Sequence, residues 1–177
     1  DVYGAQYDPA SEITVTSGAT ESVFAAISAV VKKDDEVIIF EPAYDAYAPI
    51  VRLNGGIPIF LQLKFPHYHI DWNMVKKTLN KKTKLIILNY PHNPTGAVLT
   101  FRQMEEICRF AATKGLVIFS DEAYDRMIYE DDKFFSPAAC KDMKNQTVIP
   151  FLMFFLISHL CLLWQYSPRC KKSDPLP

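Results

Sequence analysis

Apolar residues along the first 149 positions fall into two kinds of pattern, and the two kinds alternate along the chain. Continuous apolar runs such as EVIIF (36–40) and LVIF (116–119) have the length and composition of buried strands. Between these runs, apolar residues recur every three or four positions, which is typical of helices. In the helix predicted over 20–33 they are Val23, Ala26, Ile27, Val30 and Val31. Buried strands separated by helices predict an α/β fold with a mostly parallel sheet flanked by helices.

The ends of two predicted helices have capping residues. Asp71 is suited to cap a helix that reaches about residue 79, because its carboxylate can accept hydrogen bonds from free N–H groups. Thr100 and Gln103 have the spacing of a capping box. The helix after them is predicted to end at Gly115 and to bury Met104, Ile107, Cys108 and Ala111. A helix over 44–53 and strands over 13–16, 57–63 and 84–88 complete the pattern, and a last strand begins at 147–149.

Composition and charge exclude several classes of protein. The chain has 177 residues, of which 49% are hydrophobic and 22% charged, as in ordinary globular domains. A net charge of −1 gives no sign of a nucleic-acid partner. The four cysteines match no zinc or redox spacing and no signal peptide opens the sequence, so we expect a cytoplasmic protein, with mitochondria as the alternative. His67 and His69 lack a third ligand, so no metal site is predicted.

Small and polar residues follow the predicted strands, at the ends where parallel sheets bind their ligands. The segment 17–20 opens a helix after the first strand, and free N–H groups there favour an anion such as phosphate. Tyr44 follows the second strand and could cover a planar ligand, while Asp121 ends the fifth and could hold a cation. Taken singly, a capped turn, a core tyrosine and an N-cap are the commoner interpretations.

The stretch NYPHNPTG (89–96) places Asn93 in a stiff loop after the strand at 84–88. Pro91 and Pro94 restrict the backbone on both sides of it. An anion site, an aromatic face, an amide, a carboxylate and the phenol of Tyr124 would together suit a flat, phosphorylated and protonatable ring. Pyridoxal 5′-phosphate (PLP) fits, because it needs a carboxylate at its ring nitrogen and donors near its phenolic oxygen.

Four motifs resemble those of a known family: SGATE (17–21), EPAYDAY (41–47), NYPHNPTG and SDEAYD (120–125). In this order and at these spacings they look like the class I/II aminotransferases, which are PLP enzymes of fold type I. YDAYAPIVRLNGG (44–56) and PHYHIDW (66–72) resemble the methionine and kynurenine aminotransferase branch. The resemblance covers residues 1–149, which we interpret as part of the PLP-binding large domain.

The resemblance implies which residues hold PLP and what reaction follows. The residues are Gly18, Ala19 and Thr20 at the phosphate, Tyr44 on the ring, Asn93 and Tyr124 at the phenolic oxygen, and Asp121 at the ring nitrogen. The implied reaction moves an amino group from an amino acid, such as methionine or kynurenine, to a 2-oxo acid. Carbon–sulfur β-lysis of cysteine conjugates is the related alternative. Members of this family are dimers, so the resemblance implies that the parent enzyme is a homodimer.

The Schiff-base lysine of this family has no counterpart in the sequence. It should follow the strand that begins at 147–149, in a segment like Ser-Ser-Phe-Gly-Lys-Thr. Residues 150–177 instead form an apolar and then basic tail unlike the family, and Lys171 and Lys172 lack that context. We therefore expect an inactive fragment without a catalytic residue of its own.

Three origins of this tail compete. A gene-model or translation artefact is favoured, because composition changes abruptly with the departure from the family. The second is a membrane anchor over 148–164, which is at the short end of the roughly 17–25 residues that span a bilayer. The third is a truncated isoform, a non-catalytic chain that binds PLP or docks on a full-length subunit.

Overall fold

Strands and helices alternate along most of the chain, as the sequence pattern predicts. The structure is a computed structural model and describes residues 6–129, 133–155 and 158–164. The strands are β1 (Ile13–Thr16), β2 (Glu36–Glu41), β3 (Ile57–Gln62), β4 (Thr83–Asn89), β5 (Val117–Asp121), β6 (Thr147–Val148), β7 (Pro150–Phe155) and β8 (Ser158–Trp164). The helices are α1 (Ala19–Val30), α2 (Tyr47–Leu53), α3 (Trp72–Thr78) and α4 (Phe101–Lys114).

Five of the strands form a central sheet in the order β3–β2–β4–β5–β6, and every neighbouring pair is parallel. Side chains alternate between its two faces, and helices cover both. One buried cluster includes Ile38, Ile86 and Ile118 of the sheet with Val75 of α3 and Ile107 of α4. The other includes Ile39, Ile87 and Phe119 with Val23 of α1 and Val51 of α2. The predicted fold class, a mostly parallel sheet flanked by helices, is confirmed.

Strand β1 lies outside the parallel sheet. It pairs antiparallel with β8, and β8 pairs antiparallel with β7, so that a second sheet has the order β1–β8–β7. We expected all the candidate binding segments to follow strands of one parallel sheet. This expectation is wrong for segment 17–20, because β1, the strand before it, lies in the second sheet. The pairing joins Ile13 to Trp164, and no local sequence pattern encodes so distant a contact.

The apolar stretch after residue 149 forms β7 and β8 where the structure describes it. The membrane-anchor alternative requires a bilayer-spanning segment over 148–164. Within the described residues, no helix combines the length and the apolar content needed to cross a membrane. Cys170, Lys171 and Lys172 lie outside the described residues.

Two predicted helices differ in their bounds. Helix α1 ends at Val30 because the next residues form a turn, in which the Lys32 N–H donates to the Asp35 carboxylate at 2.9 Å. Helix α2 begins at Tyr47 because Tyr44 and the two residues after it also form a turn. The Tyr47 N–H donates to the Tyr44 carbonyl at 3.3 Å. Tyr44 therefore lies in a loop ahead of the helix.

The predicted helix caps are confirmed. The Asp71 carboxylate accepts from the N–H groups of Asn73 and Met74 at 3.0 and 3.2 Å. The Thr100 hydroxyl accepts from the Gln103 N–H at 3.3 Å, and the Gln103 side chain accepts from the Thr100 N–H at 2.8 Å. Gly115 ends α4 in the left-handed conformation, at φ 64°. The four residues predicted to be buried on α4 are buried.

Replacing Thr100 by alanine removes this N-cap, and we expect the free energy of unfolding to fall by about 1 kcal/mol. Thr100→Ser is the matched control, because its hydroxyl can still accept from the Gln103 N–H. Urea unfolding followed by circular dichroism measures both variants. Equal stabilities of the two variants would show that the cap does not stabilise the fold.

Candidate active site

The carboxyl ends of β4 and β5 meet at a network of side-chain hydrogen bonds. Asn89 is the last residue of β4, and its side-chain N–H donates to the backbone carbonyl of Asp121, the last residue of β5, at 3.2 Å. The Asn89 side-chain oxygen accepts from the backbone N–H of Asn93 at 2.8 Å. Asn89 thus fixes the start of the loop that carries Asn93 relative to Asp121.

Asp121 carries a buried carboxylate with only 6% of its surface exposed. It accepts hydrogen bonds from the Tyr47 hydroxyl and, at 3.2 Å, from the Ala123 N–H. Burial raises the pKa of this carboxyl, and the two hydrogen bonds oppose the rise only in part. In the part of the chain that the structure describes, the ion pairs involve Asp125 and Glu12 and leave Asp121 without a cation.

Tyr47 is a residue of the candidate site that the sequence pattern did not reveal. It begins α2, is 1% exposed, and contacts the rings of Tyr44 and Phe119 edge-on at 5.5 and 6.2 Å between centroids. Burial and the nearby Asp121 carboxylate raise the pKa of Tyr47, so its hydroxyl stays protonated and donates. Its helical spacing with Ile50 and Val51 indicates a core residue, and its place three residues after Tyr44 is the signal that could have revealed it.

The predicted phosphate site lies beside Tyr44. The hydroxyls of Thr20 and Tyr44 are 3.3 Å apart, so the first turn of α1 and the loop after β2 meet. Gly18 precedes the helix at φ 91°, a conformation that favours glycine. The Ser17 N–H donates to the Glu21 carboxylate, so an N–H group at this helix start already binds an anionic oxygen.

Asn93 and Tyr124 lie in the loops that follow β4 and β5. Asn93 is half-buried, and its loop is closed by the bond from the His92 N–H to the Ala97 carbonyl at 2.8 Å. Tyr124 is half-buried and close enough to Tyr47 to contribute to the raised pKa of that residue. The structure therefore gathers Asn93, Asp121 and Tyr124 around the ends of β4 and β5.

Comparisons with known proteins agree with the motifs. A family model described as aminotransferase class I and II matches residues 1–152. The methionine aminotransferase of Escherichia coli (strain K12) is 39% identical over 147 residues, which are 83% of this chain and 38% of that protein. An aspartate aminotransferase of Pyrococcus abyssi is 39% identical over 142 residues, which are 80% of this chain and 36% of that protein.

A solved structure gives the same result for the fold. YbdL from Escherichia coli, identified as having a methionine aminotransferase function, matches with a TM-score of 0.85 at 35% identity. The match covers 92% of this chain and 44% of that one. The chain thus spans roughly two fifths of the length of the relatives it matches. Since the family model covers most of its length, the chain belongs to the class I and II aminotransferases, a family of PLP-dependent enzymes.

Proposed function

We propose that the protein to which this chain belongs transfers an amino group from an amino acid to a 2-oxo acid, with PLP as its cofactor. The observation that carries the proposal is the buried Asp121 carboxylate, which accepts from the Tyr47 hydroxyl and has no cationic partner among the described residues. A protonated ring nitrogen is a cation with an N–H of the kind that such a carboxylate can accept. The residues present therefore fit the cofactor.

The assignment of the other residues to the cofactor is also a proposal. The residues that would hold PLP are Gly18, Ala19 and Thr20 at its phosphate, Tyr44 on its ring, Asn93 and Tyr124 at its phenolic oxygen, and Asp121 at its ring nitrogen. Bound in this way, PLP supplies an electron sink for the carbon that loses its proton. The contact between the Thr20 and Tyr44 hydroxyls supports this assignment, because it brings the phosphate and ring positions together.

Tyr47 and Asn89 would position the carboxylate that meets the ring. The Tyr47 hydroxyl donates to one oxygen of Asp121 and the Ala123 N–H to the other, so the carboxylate plane is fixed. Asn89 holds the backbone of the same residue. A carboxylate held in this way keeps a ring nitrogen protonated without having to reorganise.

For the amino donor we propose methionine, with kynurenine as the second choice. Methionine is supported by the Escherichia coli relative and by the resemblance of 44–56 and 66–72 to that branch. Kynurenine is supported by the sequence resemblance. Carbon–sulfur β-lysis of cysteine conjugates is the alternative reaction, because it needs the same electron sink. A homodimer in the cytoplasm is proposed for the parent enzyme.

A second candidate function concerns the 177 residues by themselves, which we propose bind PLP without turning over. In the described part of the chain, the hydrogen bonds and ring contacts of Tyr44, Asn93 and Asp121 involve no lysine. Lys144 pairs with Glu12 at 3.0 Å. Without a lysine to bind the cofactor covalently and move the substrate proton, the chain would hold PLP only by non-covalent contacts.

We also propose that the PLP-binding part ends near residue 149 and that residues 150–177 are a separate tail. The change of sheet supports a boundary at this point, because β6 ends at Val148 in the parallel sheet and β7 starts at Pro150 in the sheet that also contains β1. Full-length cDNA read across the codon of Ile149 tests it. A transcript that continues into a Ser-Phe-Gly-Lys-like segment would make the tail an artefact of the gene model.

Binding of PLP and of pyridoxamine 5′-phosphate to the purified chain tests the proposed function. The pyridoxamine form has no aldehyde, so it measures non-covalent binding alone. We expect saturable binding of both, no borohydride-stable adduct at a unique lysine, and no transamination of methionine. Failure of both compounds to bind would reject the site, and efficient turnover would reject the non-catalytic interpretation of this chain.

Replacing Asn93 by alanine should lower the affinity for pyridoxamine 5′-phosphate roughly tenfold, because the proposed bond to the phenolic oxygen is lost. Equilibrium dialysis measures the dissociation constants. Asn73→Ala is the matched control, since Asn73 is exposed on α3 and should bind the compound like the original chain. An unchanged affinity of the Asn93 variant would remove that residue from the site.

Replacing Asp121 by asparagine should stabilise the free chain at pH 7 and weaken binding of pyridoxamine 5′-phosphate. The raised pKa means that the folded chain binds this proton more tightly than the unfolded chain. The free energy of unfolding therefore falls as the pH rises from about 4, the ordinary carboxyl pKa, through the raised value. Asparagine keeps an oxygen for the Tyr47 hydroxyl and has no charge to bury, and we expect this gain to exceed the loss of the bond from the Ala123 N–H.

Urea unfolding between pH 3 and 8 measures this effect, and dialysis measures the affinity. Asp142→Asn is the control, because Asp142 is exposed and its change should leave both quantities as they are. A variant of Asp121 less stable than the original chain at pH 7 would mean that the buried charge is already compensated in the free chain.

A further inference from the structure

A cavity of about 660 Å³ lies at the edge of the parallel sheet where β4 begins. It is lined by residues of α3, of the segment that joins α3 to β4, and of the end of α4. Thr83 lines it and is the first residue of β4, whereas Asn89 is the last, and the 7 residues of this strand extend about 20 Å. The cavity is therefore separate from the candidate active site. Its volume falls within the roughly 300–1,000 Å³ of small-molecule sites.

Four lysines line this cavity, and all four are exposed: Lys76, Lys81, Lys84 and Lys114. In the described part of the chain, the cations that form ion pairs are Arg126 and Lys144. The four lysines therefore carry charges that no carboxylate of those residues pairs with. Like charges around one cavity repel each other, and a bound anion relieves the repulsion.

Helix dipoles account for only two of these lysines. Lys76 and Lys114 lie in the last turns of α3 and α4, where the partial negative charge of the helix end favours a cation. Lys81 lies in the turn before β4, and Lys84 lies in the strand itself. Neither belongs to the last turn of a helix, so the dipoles leave the second pair unexplained.

Glu36 brings a carboxylate to the same edge of the sheet. Its Oε2 accepts from the side-chain N–H of Asn80 at 2.7 Å and from the Thr83 hydroxyl at 3.3 Å, and both of these residues line the cavity. One carboxylate can offset only one of the four positive charges. An excess of positive charge therefore remains around the cavity, and it suits a ligand with several negative charges.

An apolar surface completes the lining, and it is formed by Leu79, Phe110 and Leu116. Phe110 is partly exposed, and its ring packs against that of Trp72 with 5.7 Å between centroids. A ring held in this way can stack on a second flat ring. Inorganic phosphate would leave this apolar surface without a partner, whereas a nucleotide has both a flat base and charged phosphates.

We propose that this cavity binds a nucleoside polyphosphate, with the phosphates at the four lysines and the base against Phe110. The ammonium groups of lysines are compact charges that suit phosphate oxygens. None of the lining residues belongs to the candidate active site, so binding here is independent of the proposed amino-group transfer.

Equilibrium dialysis of the purified chain against ATP, tripolyphosphate and adenosine tests both halves of the site. The buffer omits magnesium, which would cover part of the phosphate charge. We expect saturable binding of ATP, roughly tenfold weaker binding of tripolyphosphate because it has no base to stack, and no measurable binding of adenosine. Raising the NaCl concentration from about 0.05 M to about 0.5 M should weaken the binding of ATP, since salt screens exposed charges.

Lys81→Glu should weaken the binding of ATP at least tenfold, because it replaces attraction by repulsion at the phosphates. Lys141→Glu is the matched control, since Lys141 is exposed, does not line the cavity and makes the same change in net charge. Equal losses of affinity in the two variants would overturn the proposal, because they would show attraction to the net charge of the chain rather than to this cavity.

Phe110→Leu tests the stacking, because leucine keeps an apolar side chain against Trp72 but has no ring. We expect its affinity for ATP to fall to about that for tripolyphosphate, with the affinity for tripolyphosphate unchanged. If this variant does not fold, the original chain decides, since equal affinities for ATP and tripolyphosphate, or no binding of ATP, would overturn the proposal. Binding of ATP that depends on Lys81, in a chain that does not bind pyridoxamine 5′-phosphate, would uphold this cavity and reject the proposed function.

Discussion

The site depends on a single buried carboxylate. An ionised carboxylate taken out of water costs several kcal/mol unless it is compensated. Asp121 receives hydrogen bonds from Tyr47 and Ala123, and yet its pKa remains above the ordinary value, so the compensation is incomplete. The free chain therefore holds a charge that a cationic N–H would relieve. Tyr47 begins α2 and its ring packs against Phe119. These two features place the Tyr47 hydroxyl at the Asp121 carboxylate.

Side chains, rather than backbone hydrogen bonds between strands, fix the other loops of the site relative to the Asp121 carboxylate. The ladder between β4 and β5 ends at Asn89 and Asp121, where the loops that carry Asn93 and Tyr124 begin. From there Asn89 bonds the Asp121 carbonyl with one side-chain atom and the Asn93 N–H with the other. The His92 N–H then closes the Asn93 loop by donating to the Ala97 carbonyl at 2.8 Å. The Asn89 side chain thus fixes two loops that would otherwise be joined only through their strands.

The features that could be predicted from the sequence are those that depend on residues close together in the chain. Asp71 and Thr100 cap helices with their own side chains, so their neighbours suffice to identify them. The site residues follow strands, and strand ends are visible as changes of hydrophobic pattern. Tyr47 was missed because its spacing within α2 is that of a core residue, while Asp121, which accepts from its hydroxyl, lies 74 positions away. The pairing of β1 with β8 was also not predicted, because it joins residues as far apart in the sequence as Ile13 and Trp164.

The proposed function and the stability of the free chain oppose each other at Asp121, because the charge proposed to bind the cofactor destabilises the chain without it. A compound that binds the folded chain and not the unfolded one stabilises it by RT ln(1 + [L]/Kd), which is about 2.7 kcal/mol at a hundredfold excess over Kd. Part of that gain would come from relieving the buried charge rather than from new contacts. The same charge that makes the free chain less stable at neutral pH would then make the bound chain selective for a ring that carries a proton. A neutral ring of equal shape would leave the carboxylate without a cationic partner, so it would bind without this share of the free energy.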